Sequence, residues 1–139
     1  MRSVFVDASY WIALVNPRDT LHRTAKSMET ALGMVRFVTS EMVLTELLND
    51  LARGGESMRR TAVSLVSSLR RLPNVSIVPQ TSDQFQDALF LYLSRPDKEW
   101  GLTDCASFRI MASAGISEAL THDRHFAQAG FRALLRPSS

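Results

Sequence analysis

Cysteine occurs once in this chain, at Cys105, and lysine only twice, at Lys26 and Lys98. A single thiol excludes an internal disulfide and fits a reducing compartment, so the expected location is the cytoplasm. No stretch approaches the ~18 consecutive apolar residues of a membrane span, and no membrane partner is expected. The apolar start "MRSVFVDASYWIALV" is interrupted by Asp7 and followed by no small-residue cleavage site, which argues against a signal peptide. Glycine and proline are sparse, and no repeat, low-complexity tract or linker divides the chain. Residues 1–139 therefore read as one globular domain, long enough to bury a core.

The scarcity of lysine throws the basic charge onto arginine: 16 basic residues less two lysines leave 14 arginines. Arginine binds phosphate bidentately, so nucleic acid is one reading, and a codon bias toward arginine is the other. The densest basic stretch runs from Arg53 through Arg59, Arg60, Arg70 and Arg71, with only Glu56 against it. Arg53, Arg59 and Arg60 are the candidate RNA contacts; a solvated helix face explains them equally simply.

Short β-branched and aromatic runs alternate with helical periods. "SVFVD" (3–7), "VRFVT" (35–39), "VSIV" (75–78), "EALT" (118–121) and a segment near 131–135 read as strands. Helices are expected at "SYWIALV", over 19–32 with Asp19 as cap, and from Ser40 to Gly54-Gly55. Others follow over 56–71, from Thr81 to about Ser94, from Thr103 to Ala114, and near 124–129. Strands separated by helices predict an α/β fold with a parallel sheet covered on both faces. Ligands of such sheets sit in the crevice beyond the carboxyl ends of the strands.

That rule gives meaning to four acids. Asp7 closes the first strand, Asp123 follows the fourth, and Asp104 opens the helix leading into the fourth. Glu46 lies one to two turns into the helix after the second strand. Each has a local explanation: a strand end for Asp7, the positive end of a helix capped by Thr103 for Asp104, a cap of the short following helix for Asp123, a solvated helix face for Glu46. Together they suggest more. Glu46 stands among Leu44, Leu47 and Leu48, which predicts partial burial, and Asp104 lies inside the apolar "WGLTDCASFRIM". Several close carboxylates raise each other's pKa unless a cation relieves them. Hard oxygen donors without clean Cys or His pairs select Mg²⁺ or Mn²⁺, ions suited to phosphate hydrolysis. Setting the four acids aside leaves 16 basic against 10 acidic (14 − 4) residues, a surplus of +6 that could attract a polyanion.

"VFVDASYWIAL", "TELLN", "LTDCASF" and "ALTHDRHFAQAGF", in this order, resemble the acidic signature of PIN-domain ribonucleases, with the nearest similarity to toxins of VapBC-type toxin–antitoxin pairs. The resemblance implies a three-layer α/β/α sandwich around a central parallel sheet and metal-dependent endonucleolytic cleavage of RNA. By position it assigns Asp7, Glu46, Asp104 and Asp123 as catalytic residues holding Mg²⁺ or Mn²⁺. Ser9 is a supporting residue, and Thr103 or Thr121 orients the acids. The same resemblance implies a homodimer and a small antitoxin that blocks the cleft. Trp11, Ile12, Leu44, Leu48 and Leu51 are candidates for such an interface.

Other readings compete. His122 and His125, in "HDRH", could bind zinc with Asp104 and Cys105, although no second clean pair exists; His125 is otherwise a supporting or packing residue beside Phe126. Cys105 near a helix N-terminus could be a nucleophile. A phosphorylation receiver would need paired acids at the first strand and a late lysine, and Asp7 stands alone. A non-catalytic RNA- or antitoxin-binding module of the same fold is the remaining alternative.

Overall fold

The computed structural model describes residues 1–137. Five strands form one sheet: β1 (Ser3–Val6), β2 (Arg36–Ser40), β3 (Val75–Val78), β4 (Glu118–Leu120) and β5 (Arg132–Ala133). Every pairing is parallel and the order is β3-β2-β1-β4-β5. Seven helices connect them: α1 (Ala8–Val15), α2 (His22–Ala31), α3 (Glu41–Leu51), α4 (Gly55–Arg71), α5 (Ser82–Ser94), α6 (Leu102–Ala114) and α7 (Arg124–Gln128). The result is the expected three-layer α/β/α sandwich.

The chain builds outward from β1 to β2 and β3, then returns to the other side of β1 for β4 and β5. This reversal opens a crevice above the carboxyl ends of β1 and β4, where parallel sheets place their ligands. Right-handed crossovers that reverse direction place the two sets of helices on opposite faces. On one side α1 packs on α2 and α3, and α3 on α4; on the other α5 packs on α6.

The central strand is apolar on both faces: Val4, Phe5 and Val6 are fully buried. The buried Thr39 hydroxyl donates to the carbonyl of Val6 at 2.9 Å, pinning the end of β1 to β2. A second cluster lies beneath the fourth strand's exit. Phe126 contacts Phe5 and meets Phe108 edge-on at 5.0 Å, and Phe108 packs on Trp100 and Phe131. Such pairs contribute about 0.5–1.5 kcal/mol each beyond the area they bury. The Trp100 indole N–H donates to Gln128 Oε1 at 3.1 Å. The sequence around Asp104 and Asp123 is therefore rich in aromatics because those residues lock α6 and α7 together.

Several local expectations need correction. Asp19 does not cap a helix over 19–32: its Oδ1 accepts the N–H of Leu21 in a turn, and α2 starts at His22. Gly101, not Thr103, is the N-cap of α6. α3 ends at Leu51 and passes through a 3-10 turn over Ala52–Gly54 before Gly55, at φ 77°, redirects the chain into α4. The last strand is two residues long, because the chain turns at Ala133 to Arg136. Of the proposed interface residues, Trp11, Leu44 and Leu51 are core, since α1, α3 and α4 pack their inner faces together there. Ile12 is half-buried and Leu48 exposed. Of the large exposed apolar side chains, Phe85, Phe90, Tyr92 and Leu93 share α5, while Met1, Met34, Val63 and Leu72 are scattered elsewhere.

Candidate active site

The register of β1 on β4 sets the floor of the crevice. Val6 pairs with Leu120, and the Asp7 N–H donates to the Leu120 carbonyl at 3.2 Å, so Asp7 and Thr121 leave the sheet side by side. Asp7 is only 6% exposed. A carboxylate so buried needs donors, and two hydroxyls supply them: Thr121 at 2.9 Å and Ser9 at 3.0 Å, both to Oδ2. Thr121 in turn accepts the N–H of Asp123 at 3.0 Å. Burial nevertheless pushes the Asp7 carboxyl above its usual range, against the two hydroxyls, with the charge of Asp104 adding to the rise.

Asp104 occupies the third position of α6, at the positive end of the helix as expected but with Gly101 rather than Thr103 as the N-cap: its Oδ2 accepts the Gly101 N–H at 3.1 Å. The helix dipole favours charge there. Desolvation still raises the Asp104 carboxyl; the Gly101 bond opposes it, the Asp123 charge reinforces it, and His125 lowers it. Asp123 likewise caps α7, its Oδ1 accepting the His125 N–H at 2.9 Å. Local capping and convergence on the crevice are thus combined in the same two side chains.

Glu46 approaches from α3. Its neighbours Leu44 and Leu47 face the core, while Glu46 stands at the rim, exposed as a residue but with its carboxyl partly withdrawn from water at the cleft, as its leucine neighbours suggested. Its carboxyl is pushed up to about 7, first by desolvation at the cleft, then by Asp7 and Asp104, with the Thr103 hydroxyl opposing and Asp123 adding. The four acids and the two supporting hydroxyl residues named from sequence, Ser9 and Thr103, therefore share one cleft. Arg53, Arg59 and Arg60 do not enter it; they are exposed about the N-terminal end of α4. Arg53 lines a hollow of about 700 Å³ with Arg18 and Ser57, and Arg60 pairs with Glu56 at 3.3 Å.

His125 joins the acids. Its Nδ1 lies 3.1 Å from Asp104 Oδ2 and 3.3 Å from Asp123 Oδ1. Donor atoms of these three residues all lie within 4.8 Å of one another. The sequence offered one signal for this: a histidine two residues after the capping acid sits in the same helical turn. The zinc reading does not gain from it, since neither His122 nor Cys105 belongs to the cluster among the described residues. Cys105 is fully buried, and burial together with Asp104 raises its thiol pKa, the reverse of an activated nucleophile.

These donors suit a divalent cation. Among the described residues, the donors that converge closely enough to share one ion are those of Asp104, Asp123 and His125, with both acids oriented by backbone N–H groups. Asp7 and Glu46 stand outside that group and are coupled to it through their charges.

Comparison with known proteins gives a consistent picture. Residues 4–132 match the PIN domain. The chain is 34% identical over 129 residues to the 23S rRNA-specific endonuclease VapC20 of Mycobacterium tuberculosis, covering 92% of this chain and 95% of that protein. The crystal structure of M. tuberculosis VapC20, described as a sarcin-ricin loop cleaving toxin, superposes with a TM-score of 0.81 at 32% identity, over 92% of this chain and 95% of that one. VapBC2 from Rickettsia felis, crystallised with a promoter DNA fragment, shares the fold with a TM-score of 0.64 at 12% identity, over 94% and 96% of the two chains.

Proposed function

This chain belongs to the PIN-domain family, and on that premise we propose that it is a metal-dependent endoribonuclease, the toxin half of a toxin–antitoxin pair, cutting RNA in the crevice above β1 and β4. The observation that carries the reading is the meeting of Asp7, Glu46, Asp104 and Asp123 from four separate elements, with three of the four carboxyls driven upward by burial and by one another.

In this reading the four acids hold Mg²⁺ or Mn²⁺. When bound, the ion activates water for attack on phosphorus, orients the scissile phosphate and neutralises charge on the leaving oxygen. Ser9 and Thr121 fix Asp7 through Oδ2, so that its buried carboxylate keeps one orientation. Gly101 and the N-terminus of α6 do the same for Asp104. Thr103 steadies Glu46 at the rim. Arg53, Arg59 and Arg60 grip RNA phosphates away from the scissile bond, adding affinity without reading sequence.

Ribosomal RNA is the proposed substrate, on the strength of the 34% identity to a 23S rRNA-specific endonuclease over almost the whole of both chains. The proposed setting is the cytoplasm; among the described residues no helix is long and apolar enough to cross a membrane. The proposed partners are a small antitoxin that closes the crevice and a second copy of the chain. Exposed Phe90 and Leu93 on α5 offer apolar surface for a partner to cover. A monomer at micromolar concentration by light scattering, unchanged on adding the antitoxin, would count against both partners.

The substrate is tested by incubating ribosomes and naked total RNA with the purified chain in Mn²⁺ and mapping new 5′ ends. A single cut in the large-subunit RNA is expected. Discrete cuts confined to other RNAs would discard the ribosomal assignment while keeping the nuclease.

A further inference from the structure

Among the side chains at the crevice, His125 is the one that a purely oxygen-based centre leaves without a task. Its ring is held rather than loose. Its side chain is 18% exposed, its own backbone N–H is tied to Asp123, and the next residue, Phe126, is fully buried. Nδ1 faces two carboxylate oxygens at 3.1 and 3.3 Å. Neighbouring ligand atoms on an octahedral ion, each at roughly 2.1 Å from the metal, stand about 3 Å apart. The two measured separations match that spacing; the shorter also matches a hydrogen bond to Asp104 that the ring makes while Nδ1 carries its proton. The three donors come from two helices that the aromatic cluster locks together.

We infer that His125 supplies Nδ1 as a nitrogen ligand to the cation held by Asp104 and Asp123, and that this makes the centre favour Mn²⁺ over Mg²⁺. The inference rests on the nuclease reading, which places a cation between those acids. Mg²⁺ takes oxygen donors and keeps its water. Mn²⁺ shares the preference of Mg²⁺ for carboxylate and water but belongs to the first-row transition series, so one nitrogen donor among oxygens penalises it less than it penalises Mg²⁺. A ring that only oriented Asp104 would serve both ions alike, so the choice of metal separates the two roles.

The test is pulsed electron paramagnetic resonance on the intact chain loaded with Mn²⁺, with Mn²⁺ and Mg²⁺ affinities measured by calorimetry for the wild type and His125→Ala. Imidazole nitrogen coupling to the bound Mn²⁺ is expected in the wild type and lost in the variant. Mn²⁺ affinity should fall about tenfold or more, the scale on which ligand-shell changes act, and Mg²⁺ affinity distinctly less. Bound Mn²⁺ without nitrogen coupling in the wild type overturns the inference and leaves the nuclease intact, and coupling that survives in the variant overturns it equally. The wild-type spectrum needs no variant, so a misfolded His125→Ala does not block the decision. A folded wild type that takes up no Mn²⁺ at all would overturn the nuclease reading with it.

Discussion

The hydroxyl of Thr121 joins two acids at the ends of neighbouring strands: it donates to Asp7 Oδ2 at 2.9 Å and accepts the backbone N–H of Asp123 at 3.0 Å. Thr121 is itself fully buried. Replacing it by valine keeps the shape and leaves Asp7 with one hydroxyl donor fewer and an N–H without its partner. Thr121→Val should destabilise the fold by about 1–3 kcal/mol and weaken Mn²⁺ binding by roughly 10–100-fold. Urea denaturation and calorimetry read the two effects, and Thr121→Ser should restore much of both. Wild-type metal affinity in Thr121→Val would show that the bridge does not position the site.

The pH dependence of the metal-free protein follows from the raised carboxyls. Glu46, at about 7 in the fold against an ordinary 4.5, binds its proton more tightly folded than unfolded. Its contribution to stability is therefore fully present below about 4.5 and is lost as pH rises through about 7. Asp7 and Asp104 shift in the same direction. The melting temperature without metal should fall between pH 5 and pH 8, and Glu46→Gln should flatten that fall. Mn²⁺ should reverse it, binding more tightly as the acids deprotonate. A melting temperature that climbs across this range in the wild type, with no change in Glu46→Gln, contradicts the electrostatic description of the cleft.

Charge reversal on α4 and the 3-10 turn before it separates RNA grip from chemistry. Arg53 and Arg59 have no acidic partner within salt-bridge distance among the described residues, whereas Arg60 is engaged by Glu56. Arg53→Glu and Arg59→Glu should each weaken RNA binding and reduce the salt slope by about 1, with unchanged Mn²⁺ affinity. Arg60→Glu should do less. Filter binding across a salt series measures this, and a slope unchanged in all three variants would return α4 to the role of a solvated helix.

What the sequence made legible was local. α5 runs from Ser82 to Ser94 with Thr81 as its N-cap, as cap and period predict, since Thr81 accepts the Gln84 N–H within one turn. Ser40 caps α3 in the same way. The alternation of strands and helices implied a parallel sheet, and the crevice rule gathered four acids that the chain brings into one cleft. Thr121 and His125 were harder to assign. Their parts depend on the register of β1 against β4 and on how α7 packs over α6, contacts between residues more than a hundred positions apart in one case and 21 in the other. Glu46 was legible in part. Leucines on both sides suggested partial burial, which its desolvated carboxyl bears out, but a helix turns adjacent residues to different faces, and the packing of α3 leaves the residue itself at the opening. The interface residues failed, because Trp11, Leu44 and Leu51 are consumed by helix–helix contacts that periodicity alone does not locate.

The central claim is that the four acids form one metal-dependent cleavage site, and RNA cleavage by the purified, antitoxin-free chain tests it most directly. Total cellular RNA would be incubated with wild type in Mn²⁺ or Mg²⁺, with wild type in EDTA, and with Asp104→Asn in Mn²⁺, followed by mapping of new 5′ ends. The account predicts discrete cuts with either or both ions that disappear with EDTA and fall at least about a hundredfold in Asp104→Asn, the scale of losing a principal electrostatic group. Cuts of equal strength in EDTA or in a folded Asp104→Asn protein would contradict it, and no cuts from a wild type that binds Mn²⁺ would return the chain to a binding module of the same fold.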